Sequence, residues 1–168
     1  MMKEITDYFN GTQWMQTELD EDVVNAVKEA YSIIDVGCGY NQYKQFNPNK
    51  LIGIDIANPK ADWNGDILEY KTYQRFKLAV CYGCLHFYDY HWITERFEKV
   101  LALTLTSGII MMKVNPGMDS KYPLPFFNKW TWSLVDHFAQ VYHLKVDNRK
   151  EWKSPDDGST RLKWTYIK

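Results

Sequence analysis

The residues most able to do chemistry lie in a glycine-containing stretch, IIDVGCGYN, at positions 33–41. The acidic residue Asp35 is followed by Gly37 and Gly39, and the apolar residues before it predict a buried strand. A strand that ends in G-x-G at the start of a helix forms a turn in which the backbone approaches a ligand closely. The stretch therefore predicts a ligand site of nucleotide type. Gln42 stands where the G-x-G-x-x-G fingerprint of dinucleotide binding requires glycine, which weakens that interpretation.

Two more acidic residues follow along the chain. Asp55 lies 20 residues after Asp35, in the apolar run LIGIDI. A carboxylate at the end of a strand can accept short hydrogen bonds from both hydroxyls of a ribose. Asp66 lies in the polar segment ADWNGDILEY. Capping and turn formation are common roles of aspartate, so the spaced set, rather than any single residue, indicates a ligand site.

The segment CYGCLHF contains thiol and imidazole groups that could bind a metal. Cys81, Cys84, His86 and His91 follow one another at short spacing. A structural zinc site needs four ligands around a closed tetrahedron, and a single C-x-x-C without a second pair is a weak signal. Cys81 also falls within a predicted strand. The sequence therefore predicts no metal site.

Alternating helices and strands position these residues. Short apolar runs that stop at turn residues predict buried parallel strands, and apolar residues at helical spacing predict the helices. The last two runs alternate apolar and polar residues, which is typical of a hairpin. This order predicts an α/β fold with a mostly parallel sheet and an antiparallel end. The predicted parallel strands are 31–36, 51–56, 75–83 and 108–114, the helices begin near Thr17, Ile93 and Trp130, and the hairpin strands are 140–146 and 161–167.

Length and charge limit the possible classes of protein. The chain has 168 residues, 20 Lys+Arg, 21 Asp+Glu and a formal net charge of −1, which fits one globular domain and argues against a broad nucleic-acid-binding surface. Acidic residues concentrate in residues 1–30 and basic residues in 141–168, which predicts two solvated faces. No run approaches the roughly 20 apolar residues of a membrane span. With no signal-peptide core and an odd number of cysteines, the sequence predicts a cytoplasmic protein without a membrane partner.

The motifs and their order resemble the class I, Rossmann-like methyltransferases that depend on S-adenosyl-L-methionine. The first motif of that family is an acidic residue, one apolar residue and G-x-G, which Asp35, Gly37 and Gly39 match. Asn41 takes the third small position and tolerates a left-handed backbone. The resemblance implies one Rossmann-like domain with a mostly parallel seven-stranded sheet, an antiparallel C-terminal hairpin and helices on both faces. The implied parts of this single domain are an N-terminal segment and helix at 1–30, a cofactor-binding core at 31–114, and a substrate-side loop, last helix and hairpin at 115–168.

The resemblance also implies which residues bind the cofactor, S-adenosyl-L-methionine, and its product, S-adenosyl-L-homocysteine. Gly37, Cys38 and Gly39 would pass under the methionine part, and Asp35 would orient its amino group. The other implied cofactor residues are Asp55 and Ile56 at the ribose, Asp66 and Ile67 at the adenine, and Cys81 and Tyr82 beside the methyl group.

Candidate catalytic residues follow from the chemistry of the transfer. A sulfonium methyl group is already activated, so transfer needs a nucleophile aligned in line with it and a dry pocket. A general base is needed only where an acceptor proton must leave early. Tyr82, His86 and Lys113 are the candidates near the methyl position. His86 resembles the histidine in the L-H-H/F segment of many small-molecule methyltransferases, and a purely structural histidine is the equal alternative.

The resemblance favours a small molecule as methyl acceptor and leaves two alternatives open. Lys113, in SGIIMMKVNPG, is similar to the fifth-strand lysine of the ribose 2′-O-methyltransferases, which act on RNA through a Lys-Asp-Lys-Glu tetrad. Two tetrad members are missing here, because CYGC stands in place of the aspartate and the glutamate is replaced within STRLKW. The other alternative is an inactive S-adenosylmethionine-binding subunit or regulator, since fold does not fix function.

Three segments are expected to select the substrate: residues 1–18, 115–127 and 147–160. Aromatic residues make up 16% of the chain, and several occur in the first two of these segments. Such rings can close a pocket or simply pack against the sheet. The aromatic candidates are Tyr8, Phe9, Trp14, Tyr122, Phe126 and Phe127.

Overall fold

A computed structural model describes residues 6–7, 19–115, 130–155 and 158–168. One seven-stranded sheet with the order β3-β2-β1-β4-β5-β7-β6 organises these residues. Strands β1 to β5 run parallel, and β7 runs antiparallel to both of its neighbours, which confirms the predicted α/β fold. The strands are β1 (Ile33–Val36), β2 (Leu51–Asp55), β3 (Trp63–Asn64), β4 (Phe76–Tyr82), β5 (Thr104–Val114), β6 (Lys145–Lys153) and β7 (Thr160–Ile167).

Helices cover both faces of the sheet, as predicted. On one face, α2 (Tyr90–Leu103) and α3 (Trp132–Val141) bury Phe97, Val135 and Phe138 against the central strands. On the other face, α1 (Glu21–Glu29) and a 3-10 helix (Gln42–Phe46) pack on a smaller apolar cluster. Both faces of the parallel strands are therefore covered, which explains the buried apolar runs within β1, β2, β4 and β5. In the described part of the chain, no helix has both the length and the apolar character needed to cross a membrane.

The helix α1 begins later than the sequence predicts. Asp20 is the N-cap and its side chain accepts a hydrogen bond from the Asp22 backbone N–H, so the helix starts at Glu21. The predicted N-cap, Thr17, lies outside the described residues. Both residue types suit an N-cap, so residue type alone does not distinguish them.

The connections on the β2 side of the sheet are short. The link from β1 to β2 contains only the five-residue 3-10 helix, and residues 57–75 contain only the two-residue strand β3. Asn41 begins the 3-10 helix with a φ of 57°, the left-handed conformation expected for this position. Apart from turns, the connections at this end of the sheet therefore contain only the 3-10 helix and β3.

The predicted strand 140–146 is wrong at its start. α3 continues to Val141, and His143 turns the chain with a φ of 54° before β6 begins at Lys145. The Leu144 N–H donates to the Ala139 carbonyl oxygen at 2.9 Å and so closes the end of the helix. The apolar residues in this segment contact the helix side of the core, which periodicity alone does not distinguish from a strand face.

The sequence predicts two solvated faces for its acidic and basic ends, and the structure joins the two where α1 begins. Lys163 on β7 donates to Asp20 at 2.8 Å and to Asp22 at 2.7 Å, although 143 residues separate Lys163 from Asp20. Lys150 on β6 adds a bond to Asp22 at 3.0 Å. These bonds lower the pKa of Asp22 and fix the start of α1 to the C-terminal strands.

We expect Lys163→Met to destabilise the protein by about 2 kcal/mol, because hydrogen bonds between charged groups are lost and the largely buried Asp20 is left unpaired. Lys150→Met is the matched control, since this lysine side chain is 57% exposed and should contribute less than about 0.5 kcal/mol. Urea unfolding of both variants measures the difference. Equal effects would contradict a special role for the buried lysine.

Candidate functional site

The turn after β1 is built by close backbone contacts. The N–H groups of Gly37 and Cys38 both donate to the Ile54 carbonyl oxygen, at 2.8 and 3.0 Å. Gly37 has a φ of 69°, and a Cβ at this position would lie 2.4 Å from the Cys84 Cβ. Only glycine fits here, because a side chain would meet both backbone strain and a clash. The β1 turn and the loop after β4 are thereby packed directly together.

Gly39 and Asp55 join this turn to the end of β2. The Gly39 N–H donates to Asp55 Oδ2 at 2.9 Å, and Asp55 Oδ1 accepts the N–H groups of Ala57 and Asn58 at 2.9 and 2.8 Å. Both oxygens of this buried carboxylate therefore order backbone on two loops. A Cβ added at Gly39 would have no described atom within 4 Å, so the turn faces open space at this residue.

A cavity of about 150 Å³ lies at the carboxyl ends of β1, β4 and β5. The strand order reverses between β1 and β4, and ligands of open α/β sheets bind at this kind of switch point. The structure brings six of the residues predicted from the sequence together on its wall: Asp35, Gly37, Cys38, Tyr82, His86 and Lys113.

Asp35 is the acidic residue of the described cavity wall, and its pKa is strongly shifted. Its side chain is buried, with 2% of the residue exposed, and Oδ2 has no hydrogen-bond partner among the described residues. Burial, with a smaller effect from the nearby charge of Asp55, raises the pKa of Asp35 to about 7. An unsatisfied carboxylate in a cavity wall is a strong acceptor for a cationic ligand group.

His86 is neutral at physiological pH. Burial, helped by the nearby positive charge of Arg161, lowers the pKa of His86 to about 3. The Asn115 N–H donates to His86 Nδ1 at 3.3 Å, so the neutral ring carries its proton on Nε2. In this tautomer the ring can donate a hydrogen bond from Nε2, and it can accept a proton at Nδ1 only by losing the bond to Asn115.

Tyr82 and Lys113 are neighbours on β4 and β5. The Lys113 Nζ lies 5.6 Å from the centre of the Tyr82 ring and 5.8 Å from that of Trp152 on β6, so the ammonium sits between two aromatic faces. Burial raises the pKa of Tyr82, so its phenol remains protonated. The Tyr82 hydroxyl oxygen is buried and, within the described ranges, makes no hydrogen bond. It is a buried donor on a residue that lines the cavity.

The remaining predicted residues lie away from this cavity. Asp66 forms a buried ion pair with Arg96 of α2 and accepts the Leu68 N–H at 3.1 Å. Ile67 is buried in the main core and Ile56 packs against it. Cys81 has no exposed surface and belongs to the same core. Asp55 reaches the cavity turn through Gly39 but is not part of the cavity wall.

The three cysteines are free thiols, and His91 lies on α2 beside Glu95 with an 80% exposed side chain. Among the described residues, no three His, Cys, Asp or Glu side chains are grouped so that they could hold a metal ion. The aromatic candidates for substrate selection, Tyr8, Phe9, Trp14, Tyr122, Phe126 and Phe127, lie outside the residues that the structure describes.

Solved structures share this architecture over nearly the whole chain. A Burkholderia thailandensis 1,6-didemethyltoxoflavin-N1-methyltransferase, solved with 1,6-didemethyltoxoflavin and S-adenosylhomocysteine, matches 99% of this chain and 85% of its own, with a TM-score of 0.70 and 15% identity. The N-methyltransferase NodS of Bradyrhizobium japonicum WM9, in complex with S-adenosyl-L-homocysteine, matches 99% of this chain and 97% of its own, with a TM-score of 0.71 and 12% identity. The fold is that of the class I methyltransferases.

A third structure with the methyltransferase fold is the magnesium protoporphyrin IX methyltransferase ChlM of Synechocystis PCC 6803, solved with bound SAM. It matches 99% of this chain and 97% of its own, with a TM-score of 0.70 and 10% identity. No family model matches the sequence, and no curated protein matches it either. At these identities the likeness is one of fold alone.

Within the methyltransferase fold, the cavity contains residues that the sequence did not single out. They include Tyr43 on the 3-10 helix, Asn115 after β5 and Arg161 at the start of β7. Arg161 sits in a run whose alternation predicts a strand, but no local motif marks it as a ligand residue. Because β7 runs antiparallel to β5, the first residues of β7 lie beside the carboxyl end of β5. Arg161 is therefore located at that end.

Proposed function

We propose that this protein is an S-adenosyl-L-methionine-dependent methyltransferase that acts on a small molecule. The observation that carries the proposal is the buried, unpartnered carboxylate oxygen of Asp35 beside the Gly37–Gly39 turn, at the switch point of a methyltransferase fold. A cofactor with a cationic amino group satisfies that oxygen, and the open space at Gly39 gives it room against the backbone.

The residues present fit this cofactor at its methionine end. Asp35 would hold the amino group and the Gly37–Gly39 turn would pass beneath the chain, while Asp55 keeps the turn in place through the Gly39 N–H. Asp66, Ile67 and Ile56 remain the proposed contacts for the adenosine part, with Arg96 fixing the Asp66 carboxylate. When bound, the cofactor supplies an activated sulfonium methyl group, whose loss leaves the electron pair of the broken carbon–sulfur bond on sulfur.

The side chains near the proposed methyl position can orient an acceptor. The Tyr82 hydroxyl is a protonated donor, and Lys113 carries a charge between two rings. The His86 ring, with Nδ1 held by Asn115, donates from Nε2. Catalysis by proximity and orientation suits this set better than early proton removal by a base.

Two of the similar structures are a 1,6-didemethyltoxoflavin-N1-methyltransferase and a magnesium protoporphyrin IX methyltransferase, and the small molecules in these names support the choice of acceptor class here. The two alternatives gain no support. Tyr82, rather than an acid, pairs with Lys113 across β4 and β5, so the aspartate of the RNA-modifying tetrad has no counterpart at that position. Nothing in the described residues favours an inactive binding subunit.

Calorimetry with S-adenosyl-L-homocysteine tests the cofactor, and incubation of cell extract with methyl-labelled S-adenosyl-L-methionine tests the transfer. We expect saturable binding, and label in a low-molecular-weight fraction. Absence of binding would overturn the proposed function. Binding with no label in any fraction would favour the inactive subunit, and label in RNA that is lost in Lys113→Ala would favour the RNA-modifying alternative.

A further inference from the structure

Two residues of the cavity wall, Asp35 and Tyr82, each carry a buried polar atom that has no hydrogen-bond partner in the described part of the chain. We propose that these two atoms bind the amino acid end of the cofactor together, with Asp35 accepting from its amino group and the Tyr82 hydroxyl donating to its carboxylate. The inference rests on the proposed function and deepens it, because the sequence leaves Tyr82 open as either a cofactor residue or a catalytic residue.

Strand register places Asp35 and Tyr82 on the same face of the sheet. Asp35 on β1 lies opposite Val80 on β4, and Tyr82 is two residues after Val80. Residues opposite each other in paired strands share a face, and so do residues two apart on one strand. Val80 belongs to the smaller apolar cluster, and Tyr82 packs against it. The two polar side chains therefore lie on adjacent strands, on the side of the sheet that α1 covers.

Tyr82 also lies level with the glycine turn. Val36 is opposite Cys81, so the chain reaches Gly37 after β1 where Tyr82 ends β4. The Cys81 side chain has no exposed surface and belongs to the main core on the opposite face. Tyr82 is therefore the last β4 side chain on the α1 side, beside the turn proposed to pass beneath the methionine end of the cofactor.

The acids near the Tyr82 phenol are bound to lysines. Asp20 accepts from Lys163 at 2.8 Å, and Asp22 accepts from Lys163 at 2.7 Å and from Lys150 at 3.0 Å. Two ammonium groups thus offset two carboxylates, so these acids do not exclude a ligand carboxylate from the phenol.

The other phenol of the cavity wall has a structural partner. The Tyr43 oxygen accepts the Asp20 N–H at 3.1 Å and so supports the start of α1. The Tyr82 oxygen makes no such bond among the described residues. A buried donor without a partner costs stability, and a bound ligand is one explanation for its presence in a native structure.

The chemistry of the two unpartnered atoms matches an α-amino acid. Burial raises the pKa of Tyr82 most, with smaller effects from Asp20, Tyr43 and Asp22, so the phenol keeps its proton and donates. Asp35 supplies an acceptor. An α-amino acid carries an ammonium group and a carboxylate on one carbon, so it satisfies an acceptor and a donor that share one face.

Calorimetry of Tyr82→Phe with two ligands tests the inference: S-adenosyl-L-homocysteine, and 5′-methylthioadenosine, which lacks the amino acid. Loss of the hydroxyl should weaken S-adenosyl-L-homocysteine binding about tenfold, the effect of one hydrogen bond to a charged group, and should change 5′-methylthioadenosine binding by less than about twofold. Without ligand, Tyr82→Phe should melt no lower than the wild-type protein, because the hydroxyl that it removes has no partner in the described ranges.

Two further tyrosines control the experiment. Tyr166→Phe removes a buried hydroxyl that donates to the Val135 carbonyl oxygen at 3.0 Å, so it should lower the melting temperature by about 3 °C and leave S-adenosyl-L-homocysteine affinity unchanged. Tyr73→Phe, at a fully exposed side chain, should change neither property.

Three results would contradict the inference. Wild-type affinity of Tyr82→Phe for S-adenosyl-L-homocysteine, or an equal loss of affinity for both ligands, would overturn the role of Tyr82 but leave the cofactor site intact. A melting temperature of Tyr82→Phe as low as that of Tyr166→Phe would show that the hydroxyl is structural and would overturn the same role. Failure of the wild-type protein to bind S-adenosyl-L-homocysteine would overturn the proposed function and this inference together.

Discussion

Asp35→Asn should weaken S-adenosyl-L-homocysteine binding by about 30-fold at pH 8, which corresponds to a charged hydrogen bond of about 2 kcal/mol. The variant keeps the size of the side chain but loses the charge that would hold the amino group of the cofactor. At the same pH, the unliganded variant should be more stable than the wild-type protein, because Asp35 is then a buried carboxylate with an unpartnered oxygen.

The pH dependence of this effect follows from the raised pKa of Asp35. In the folded protein the carboxyl holds its proton up to about pH 7, whereas in the unfolded chain it loses the proton near 3.8. Holding this proton stabilises the folded protein fully below pH 3.8. The stabilisation falls by at most about 1.4 kcal/mol per pH unit as the pH rises, and it is lost once the pH has passed about 7. His86 has a lowered pKa, so its contribution is lost as the pH falls from 6.5 towards 3.

Urea unfolding between pH 5 and 8 separates these effects, because His86 is common to both proteins and its titration cancels in their difference. The advantage of Asp35→Asn should grow with pH and level off above about 7. Wild-type affinity for S-adenosyl-L-homocysteine should rise over the same interval, and that of the variant should stay flat. Asp136→Asn, at a 56% exposed carboxylate on α3, is the control and should change neither property. Unchanged affinity in Asp35→Asn would contradict the assigned cofactor site.

Gly37→Ala should destabilise the protein by about 3 kcal/mol, since a left-handed residue with a Cβ costs about 1–2 kcal/mol and an overpacked contact costs about as much again. The new Cβ would lie 2.4 Å from the Cys84 Cβ and 3.3 Å from its Sγ. The β1 turn and the β4 loop would have to separate, which would also distort the cavity wall between them. Thermal or urea unfolding measures the loss.

Gly39→Ala is the matched control, because Gly39 has a φ of 52° but no described atom within 4 Å of the added Cβ. It should cost only the backbone strain, about 1 kcal/mol, and should weaken S-adenosyl-L-homocysteine binding if the cofactor lies against this turn. In the double variant Gly37→Ala/Cys84→Gly the clash is removed, so the two substitutions should show a favourable interaction energy. Equal losses in Gly37→Ala and Gly39→Ala would show that the contact with Cys84 is unimportant.

Much of the fold is encoded locally. Apolar runs that stop at Gly37 and near Asp55 are enough to predict parallel strands, and the low apolar content of residues 57–75 is enough to predict a connection without a crossover helix. The residues at which an element begins and ends depend more on contacts with other elements. The segment from residue 140 to Leu144 has the alternation of a strand, but a helix ends there because its apolar side chains pack on the α2–α3 side of the sheet.

The residues of the candidate site also differ in whether the sequence alone predicts them. The glycines of the β1 turn could be predicted because each answers a demand of the backbone within a few residues, a positive φ or a close approach, and Asp35 could be predicted from its place in the same short motif. Arg161, Tyr43 and Asn115 could not, since their presence on the cavity wall depends on which elements meet at one edge of the sheet.

The sequence by itself determined the α/β class, the order of the strands along the chain and the turn that holds Asp35 beside Gly37 and Gly39, because hydrophobic period and glycine conformation act over short distances. Only the tertiary structure decided that β7, rather than β6, lies beside β5 and that Arg161 and Lys113 line the same cavity. It also decided that Lys163 binds Asp20 from 143 residues away. Both outcomes depend on how complete elements pack, and charge and burial at such contacts are set by partners that lie far apart in sequence.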